Sequence, residues 1–325
     1  MTHWVKPTIL SSKCIEFDHC RYDGSMISSD FVKKIKPFVN FVTVCPEVEI
    51  GLGIPRKSLR LVYQNEKKHL IQPVTGKDFT ESMISFAQSF LSDQQNIHGV
   101  ILKSRSPSCG IKDVKLYAAS KNAAPIRRTT GLFGSMVLDT FPGVVESDGR
   151  LRNTFIQEHF LVSIFTLADF DQLKKNLRLS DLVSFHSKNK FLFMAYNQEQ
   201  LHIMGRIVAN QQHKPMENVF GEYENLLYSL FSTPPSHKTT INVLYHLFGF
   251  VSDKLSESEK SFFLELINKY RDEKISLNVI THILKSWVIR FAEPYLSNQT
   301  FFNPFPEELL EEELSAIADK QRYWK

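Results

Sequence analysis

A chain of 325 residues is longer than most single domains, so two domains are the expectation, and a hydrophobic content of 42% is enough to give each one a core. The opening segment Met1-Thr2-His3-Trp4-Val5-Lys6-Pro7 lacks the apolar stretch of a secretion signal, and no apolar run reaches the roughly 20 residues of a membrane-spanning helix, which excludes a membrane role and predicts a cytoplasmic protein. Net charge is only +4, but the last 25 residues hold Glu307, Glu308, Glu311, Glu312, Glu313 and Asp319, so the preceding 300 carry 36 basic against 29 acidic residues, a balance compatible with a polyanionic partner.

In chain order, Pro7-Thr8-Ile9-Leu10-Ser11-Ser12 reads as a short strand entering a loop at Cys14. A helix follows over Ser29 to Ile35, then a second β-rich run, Phe41-Val42-Thr43-Val44, ending at Cys45-Pro46-Glu47. Asp78 to Gln95 is a longer helix, with Phe79, Met83, Phe86 and Phe90 at helical spacing. Gly99-Val100-Ile101-Leu102-Lys103 is a third strand, running into Ser104-Arg105-Ser106-Pro107-Ser108-Cys109-Gly110. Strands alternating with helices imply βαβ crossovers, hence a Rossmann-like α/β domain with a parallel sheet. Such sheets bind ligands beyond the carboxyl ends of their strands, where all three cysteine loops would gather.

Glu146-Ser147-Asp148-Gly149-Arg150 reads as a polar turn, and a helix from Asn153 through Phe155, Ile156, Phe160 and Ile164 closes the first domain at residues 1–167. Residues 168–325 are expected to form an all-α domain, with helices over Ser180 to Tyr196, Gln198 to Gln212, Val219 to Phe231, Thr240 to Phe250, Ser256 to Tyr270 and Ser276 to Phe291. Ser256 and Glu259 have capping-box spacing at one helix start. The acidic run near the C-terminus reads as a solvated helix face or tail.

The four cysteines, Cys14, Cys20, Cys45 and Cys109, all lie in the first third of the chain. A reducing compartment argues against two disulfides. Separate loops argue against a zinc ribbon, and the chain has no Cys-x-x-Cys motif and no compact ferredoxin run. What remains is an iron-sulfur cluster, another metal, or buried thiols acting as apolar filler. If three of the four bind a cluster, one iron stays open as a soft Lewis acid with an affinity for sulfur.

Four segments carry a resemblance: Ser11-Ser12-Lys13-Cys14; Cys20-Arg21-Tyr22-Asp23-Gly24; Cys45-Pro46-Glu47 with Gly51-Leu52-Gly53-Ile54-Pro55-Arg56; and Lys103 to Gly110. They resemble the signature segments of the TudS family of thiouracil desulfidases over residues 5–167. The resemblance implies a 4Fe-4S cluster with three cysteine ligands, Cys14, Cys45 and Cys109, and one open iron, leaving Cys20 spare. Leu182 to Ala195 and Met204-Gly205-Arg206 resemble the YbgA-type domain over residues 180–305, and the fusion is similar to tRNA 4-thiouridine desulfidases of the RudS type.

The implied activity is a non-redox C–S bond cleavage of hydrolase or lyase type, converting 4-thiouridine in tRNA to uridine with release of sulfide. Glu47, in a dry pocket expected to raise its pKa, would be the general base, and Ser104 its hydroxyl partner, with Ser106 and Ser108 as alternatives. Arg21, Tyr22, Asp23, Ser106 and Ser108 would contact substrate. Each has a plainer role open to it. Glu47 could cap the helix after Pro46 or pair with Arg56, the serines could donate only to cluster sulfides, and Arg21 to Gly24 could be only a turn.

In the helical domain His186 and Lys190 are four apart, as are His202 and Arg206, so each pair would share a helix face. His186, Lys190 and Arg206 would track tRNA phosphates, extended by Lys33-Lys34-Lys36, Arg56-Lys57-Arg60, Arg127-Arg128 and Lys174-Lys175-Arg178, unless these are an ordinary solvated face with buried histidine. The 26 phenylalanines are mostly core. Two other functions fit the same residues: a desulfidase of free thiouracil whose helical domain makes a homodimer, and a non-catalytic iron-sulfur protein that binds nucleic acid.

Overall fold

The computed structural model describes residues 4–310, so Glu311, Glu312, Glu313 and Asp319 of the acidic run lie outside the described residues. Two compact units divide the chain: one runs to Ala168 and takes back the chain from Phe305, and the other is Asp169–Pro304. No helix among the described residues is long and apolar enough to cross a membrane.

The first unit is α/β. Its strands are β1 (Thr8–Ser12), β2 (Asn40–Val44), β3 (Arg60–Gln64), β4 (Lys67–Ile71), β5 (Gly99–Leu102), β6 (Val114–Tyr117), β7 (Pro125–Thr129) and β8 (Val144–Ser147). Its helices are α1 (Asp30–Ile35), α2 (Pro46–Glu49), α3 (Thr80–Ser92), α4 (Leu132–Thr140) and α5 (Thr154–Lys174), and the boundary between the units falls within α5.

One sheet has the order β2-β1-β5-β8, with every neighbouring pair parallel. The chain leaves β1 towards β2 on one side and leaves β5 towards β8 on the other, so the winding reverses between β1 and β5, the place where a doubly wound sheet opens a crevice. Leu10, Val44, Val100 and Leu102 of this sheet share one core with Met83, Ala87 and Leu91 of α3 and with Leu132, Phe133 and Val137 of α4. At Gly99 the sheet's neighbours are Ile164 and Phe160 of α5.

A second sheet, in the order β4-β3-β6-β7, has no counterpart in the sequence-based expectation. Its strands are joined antiparallel at both edges and parallel between β3 and β6. Leu61, Leu70, Val114 and Leu116 carry it onto the same core. Of the turn expected over Glu146 to Arg150, Asp148-Gly149 is one and the first two residues are not. Glu146 and Ser147 complete β8 and are buried, because Arg150 binds the Glu146 carboxylate through two hydrogen bonds of 2.7 and 3.1 Å.

The second unit is helical: α6 (Leu179–Lys188), α7 (Lys190–Tyr196), α8 (Gln198–Ala209), α9 (Met216–Leu230), α10 (His237–Gly249), α11 (Glu257–Arg271), α12 (Leu277–Arg290) and α13 (Pro294–Ser297). Phe170, Phe185, Phe193, Phe220 and Tyr223 pack ring against ring in its core, with Phe170 stacked on Tyr223. Ser256 caps α11 in a capping box with Glu259. The helix expected over Ser180 to Tyr196 is broken at Asn189. That buried side chain donates to Phe185 O at 2.9 Å and accepts from Thr300 Oγ1 at 2.6 Å, stopping α6 and starting α7.

Candidate active site

Each functional loop leaves the carboxyl end of a parallel strand. After β1, Lys13 N donates to Val44 O at 2.8 Å and Ile27 N donates to Cys14 O at 2.8 Å, so the Cys14 turn is anchored to β2 and to the chain ahead of α1. After β2, Cys45 is the N-cap residue of α2, and Pro46 opens that helix as the residue type suited to its first position. Glu47 lies in the first turn of α2.

After β5 comes the loop of Cys109. Its carbonyls are held by the first amides of α4: Gly131 N donates to Gly110 O at 2.7 Å, Leu132 N to Pro107 O at 3.2 Å, and Gly134 N to Ser108 O at 2.9 Å. The approach requires glycine. A Cβ on Gly131 would stand 2.4 Å from Ser108 O, and one on Gly134 would stand 2.5 Å from Gly110 O and 2.7 Å from Cys109 O. Ser106 Oγ accepts from Ser108 N and Cys109 N at 3.2 and 3.1 Å, closing the turn from inside.

Cys14, Cys20, Cys45 and Cys109 are all buried free thiols. Cys45 Sγ donates to Cys20 O at 3.6 Å, and the Cys20 thiol acts on the titration of Cys45 and is acted on by Cys14, so the cysteine left spare by sequence sits among the others. The neighbouring Cys14 thiol pushes Cys20 up to about 11. The neighbouring Cys20 thiol, reinforced by burial, pushes Cys45 far above the ordinary thiol range. Burial pushes Cys109 up to about 12, against the opposing hydrogen bonds of Ser12 and Ser106. As free groups these three are protonated at neutral pH, and a soft cation held by Cys45 and Cys109 would draw those two into the thiolate form. Among the described residues no three His, Cys, Asp or Glu side chains close around a single metal ion. Thiolates of a cluster hold different irons and are not required to meet at one point.

Arg56 ties the site together. Its Nε donates to Glu47 Oε2 at 2.8 Å, its Nη1 to Cys20 O at 3.0 Å, and its Nη2 reaches Cys45 Sγ at 3.9 Å. The other Glu47 oxygen accepts from Ser108 Oγ at 2.9 Å, and both carboxylate and hydroxyl are buried. Ser108, the alternative, is therefore the hydroxyl on Glu47. Ser104 Oγ accepts instead from Lys103 Nζ at 3.0 Å, while the Ser104 amide and the Lys103 ammonium both donate to buried Asp148, at 2.7 and 3.0 Å. Sequence reasoning missed Asp148, Gly131 and Gly134, and gave Arg56 as the end of a signature segment, a competing partner for Glu47 and part of a basic cluster for tRNA.

Arg21, Tyr22 and Asp23 form a turn that closes on itself. Arg21 Nη1 donates to Ser25 Oγ at 2.7 Å, Asp23 Oδ1 accepts from Ser25 N and Oγ at 3.1 and 2.7 Å, and those bonds hold the Asp23 carboxyl below the usual range. The Tyr22 ring is 45% exposed, and its carbonyl accepts from Arg56 N at 2.8 Å, so this turn adjoins the cysteine loops.

The helical residues separate. The break at Asn189 puts His186 on α6 and Lys190 on α7, so they do not share one helix face. His186 Nδ1 lies 3.1 Å from Tyr223 Oη, and burial with the nearby Lys190 charge pushes its pKa down to about 4, so it is a neutral, packed imidazole. Lys190 is half-buried, whereas Arg206 is exposed on α8, in a groove shared with Lys214 and Glu222.

With this geometry in view, the 2-thiouracil desulfurase family matches residues 9–148, and a family described as Protein of unknown function (DUF1722) matches residues 190–306. The chain is 33% identical over 109 residues to the uncharacterized protein YbbK of Bacillus subtilis (strain 168), covering 31% of this chain and 72% of that one. It is 26% identical over 148 residues to the uncharacterized protein YbgA of Escherichia coli (strain K12), covering 45% and 88% respectively. Among solved structures, the [4Fe-4S]-dependent thiouracil desulfidase TudS aligns with 45% of this chain and 94% of its own, at 25% identity and a TM-score of 0.36. The chain belongs to the 2-thiouracil desulfurase family through its α/β unit and carries a DUF1722 region behind it.

Proposed function

We propose that the chain is an iron-sulfur-dependent desulfidase that takes sulfur from a thiolated pyrimidine, 4-thiouridine in tRNA, leaving uridine and sulfide. The observation that carries this is the convergence of the cysteine loops after β1, β2 and β5 with the Glu47–Ser108 pair at one sheet edge. Cys14, Cys45 and Cys109 are assigned as the three ligands, because each follows its own parallel strand and offers a buried soft donor. Cys20 is assigned as a neighbour whose carbonyl is engaged by Arg56. A bound 4Fe-4S cluster with one open iron would supply a soft Lewis acid matched to a thiocarbonyl sulfur.

The protein's own groups then handle water and protons. Arg56 fixes one Glu47 oxygen and Ser108 the other, and each oxygen keeps a lone pair for a further donor. Glu47 is thus assigned to orient a water and accept its proton as the water oxygen adds to the ring carbon. Overall, one water oxygen replaces the sulfur, and two protons leave with the sulfur as hydrogen sulfide or as hydrosulfide and a free proton. Ser108 keeps the carboxylate aimed and can relay a proton, while Ser104, Lys103 and Asp148 hold the loop. The exposed Tyr22 ring is assigned to the pyrimidine face, beside the Arg21–Asp23 turn, and Lys190 and Arg206 of the helical unit to tRNA phosphates.

The test starts from anaerobically purified protein with its iron and acid-labile sulfide measured. Thiouracil, 4-thiouridine and thiolated bulk tRNA are each supplied, and sulfide release is followed together with loss of thiocarbonyl absorbance. Turnover on tRNA is expected. Turnover of the free base alone makes the protein a thiouracil desulfidase, and no release from any substrate with an intact cluster sinks the desulfidase assignment. Cys14→Ser, Cys45→Ser and Cys109→Ser should each lose iron, and Cys20→Ser should keep it.

A further inference from the structure

The four strands of the mixed sheet hold Arg60 on β3, Lys67 and Lys68 on β4, Lys115 on β6, and Arg127 and Arg128 on β7, and contain no Asp or Glu. The cations near the cysteine loops behave differently: Arg56, Lys103 and Arg150 are each paired with a carboxylate. None of the sheet's six has such a partner among the described residues.

Two features make this more than a basic composition. Lys115 and Arg128 stand directly opposite each other across the antiparallel β6–β7 pair, and both are exposed. Like charges in that position oppose strand pairing, so folding alone disfavours the arrangement. On β3, Arg60 precedes Leu61, the register partner of Leu116, so it lies beside Lys115 on the same face. The sheet concentrates positive charge that an external anion would relieve.

An aromatic ring lies among the cations of this face: the Arg60 guanidinium is 4.1 Å over the half-buried Tyr117 ring, whereas Arg127 and Tyr63 pair at 5.8 Å on the opposite face. Guanidinium groups beside tyrosines are the chemistry of surfaces that hold a nucleic-acid strand, phosphates on the cations and bases on the rings. A lipid surface would call for aliphatic side chains to insert beside the charges, and at the exposed positions of these strands Ile126 alone offers one.

We propose that one face of the mixed sheet is an RNA-binding surface of the α/β unit, on which Arg60, Lys67, Lys115 and Arg128 contact the phosphates of a substrate RNA beside Tyr117. This deepens the function proposed above and rests on it only in taking the substrate to be a polynucleotide. It moves the main phosphate contacts from the helical unit to the unit that carries the cysteines.

The test uses the full chain and the triple variant Lys67→Gln/Lys115→Gln/Arg128→Gln, binding unmodified bulk tRNA between about 50 and 200 mM salt. Each lost phosphate contact removes about 0.7 to 0.9 from the slope of log affinity against log salt, so the variant's slope should fall by roughly 2 to 3, with at least a tenfold loss of affinity at the low-salt end. Far-UV circular dichroism and the unfolding midpoint of the free variant should match or exceed wild type, because the opposed charges are gone. An unchanged slope overturns the proposal, whether affinity is retained or lost. So does retained tRNA affinity with lost binding to phosphatidylserine vesicles, which would make the partner a membrane. Sulfide release by the wild type is read separately, so a failure of the desulfidase assignment leaves the binding result to stand or fall on its own.

Discussion

Ser108 Oγ donates to Glu47 Oε1 across 2.9 Å, and this one bond joins the loop after β5 to the helix after β2. It makes the carboxylate and the Cys109 loop a single unit, because the same loop is tied to α4 on its other side.

Glu47→Gln should keep iron and acid-labile sulfide while lowering the rate of sulfide release by about 100-fold to 10,000-fold, the range for a lost general base. The same change leaves buried Arg56 without its counter-charge, at 6% side-chain exposure. Breaking a buried pair costs about 3 to 5 kcal/mol, so the urea midpoint should also fall. Arg56→Met in the Glu47→Gln background should recover part of that loss without recovering activity. Iron content, turnover and urea unfolding of both variants check the set.

Ser108→Ala and Ser104→Ala should differ. Removing a hydroxyl that donates to a buried carboxylate costs about 1.5 to 3 kcal/mol, so Ser108→Ala should slow turnover by roughly 10-fold to 150-fold if that bond is used in the transition state. Ser104 meets Asp148 through its amide, which alanine retains, so Ser104→Ala should change turnover by less than about 3-fold. Equal losses in the two variants would contradict the assignment of Ser108 over Ser104.

Gly134→Ala places a methyl 2.5 Å from Gly110 O and 2.7 Å from Cys109 O, with backbone on both sides and nothing to swing away. Overpacking of this kind costs about 1 to 3 kcal/mol and shifts the backbone it meets. The expected result is a lower unfolding midpoint together with reduced iron retention. A variant with wild-type iron content and stability would contradict the close contact.

His186 gives a pH signature in the helical unit. Its folded pKa, pushed down to about 4 by burial and then by Lys190, lies below the unfolded value of 6.5, so between these values the unfolded chain binds more protons than the folded one. Its contribution is fully present above pH 6.5 and is lost as pH falls towards 4. Urea unfolding at stepped pH should show a loss on the order of 1 to 3 kcal/mol across that window. His186→Gln, which can still bond Tyr223, should flatten it.

The parallel sheet and the gathering of the cysteine loops were legible because β1, β2 and β5 are short runs of Ile, Leu, Val and Phe, each followed by a cysteine loop. The mixed sheet was not, since Arg60 to Gln64 and Lys67 to Ile71 are too basic to read as core strands until Leu61 and Leu70 are seen to face α3 and α4. Glu146 in β8 reads as a turn residue because its charge is answered by Arg150 only once the chain has folded back. The break at Asn189 depends on Thr300, a partner 111 residues away that no local pattern announces. Ser108 lay within the motif, yet three serines in five residues cannot be ranked without knowing which one faces Glu47.

The amides of Gly131, Leu132 and Gly134 give the Cys109 loop its shape from inside the protein. In small zinc domains the metal is what folds the chain, so removing it denatures them. Here backbone hydrogen bonds of the protein itself hold the loop. The expected consequence is that stripping a bound cluster with an oxidant and a chelator empties the cradle without unfolding the α/β unit, so the treated protein should keep its far-UV circular dichroism and take up iron and sulfide again.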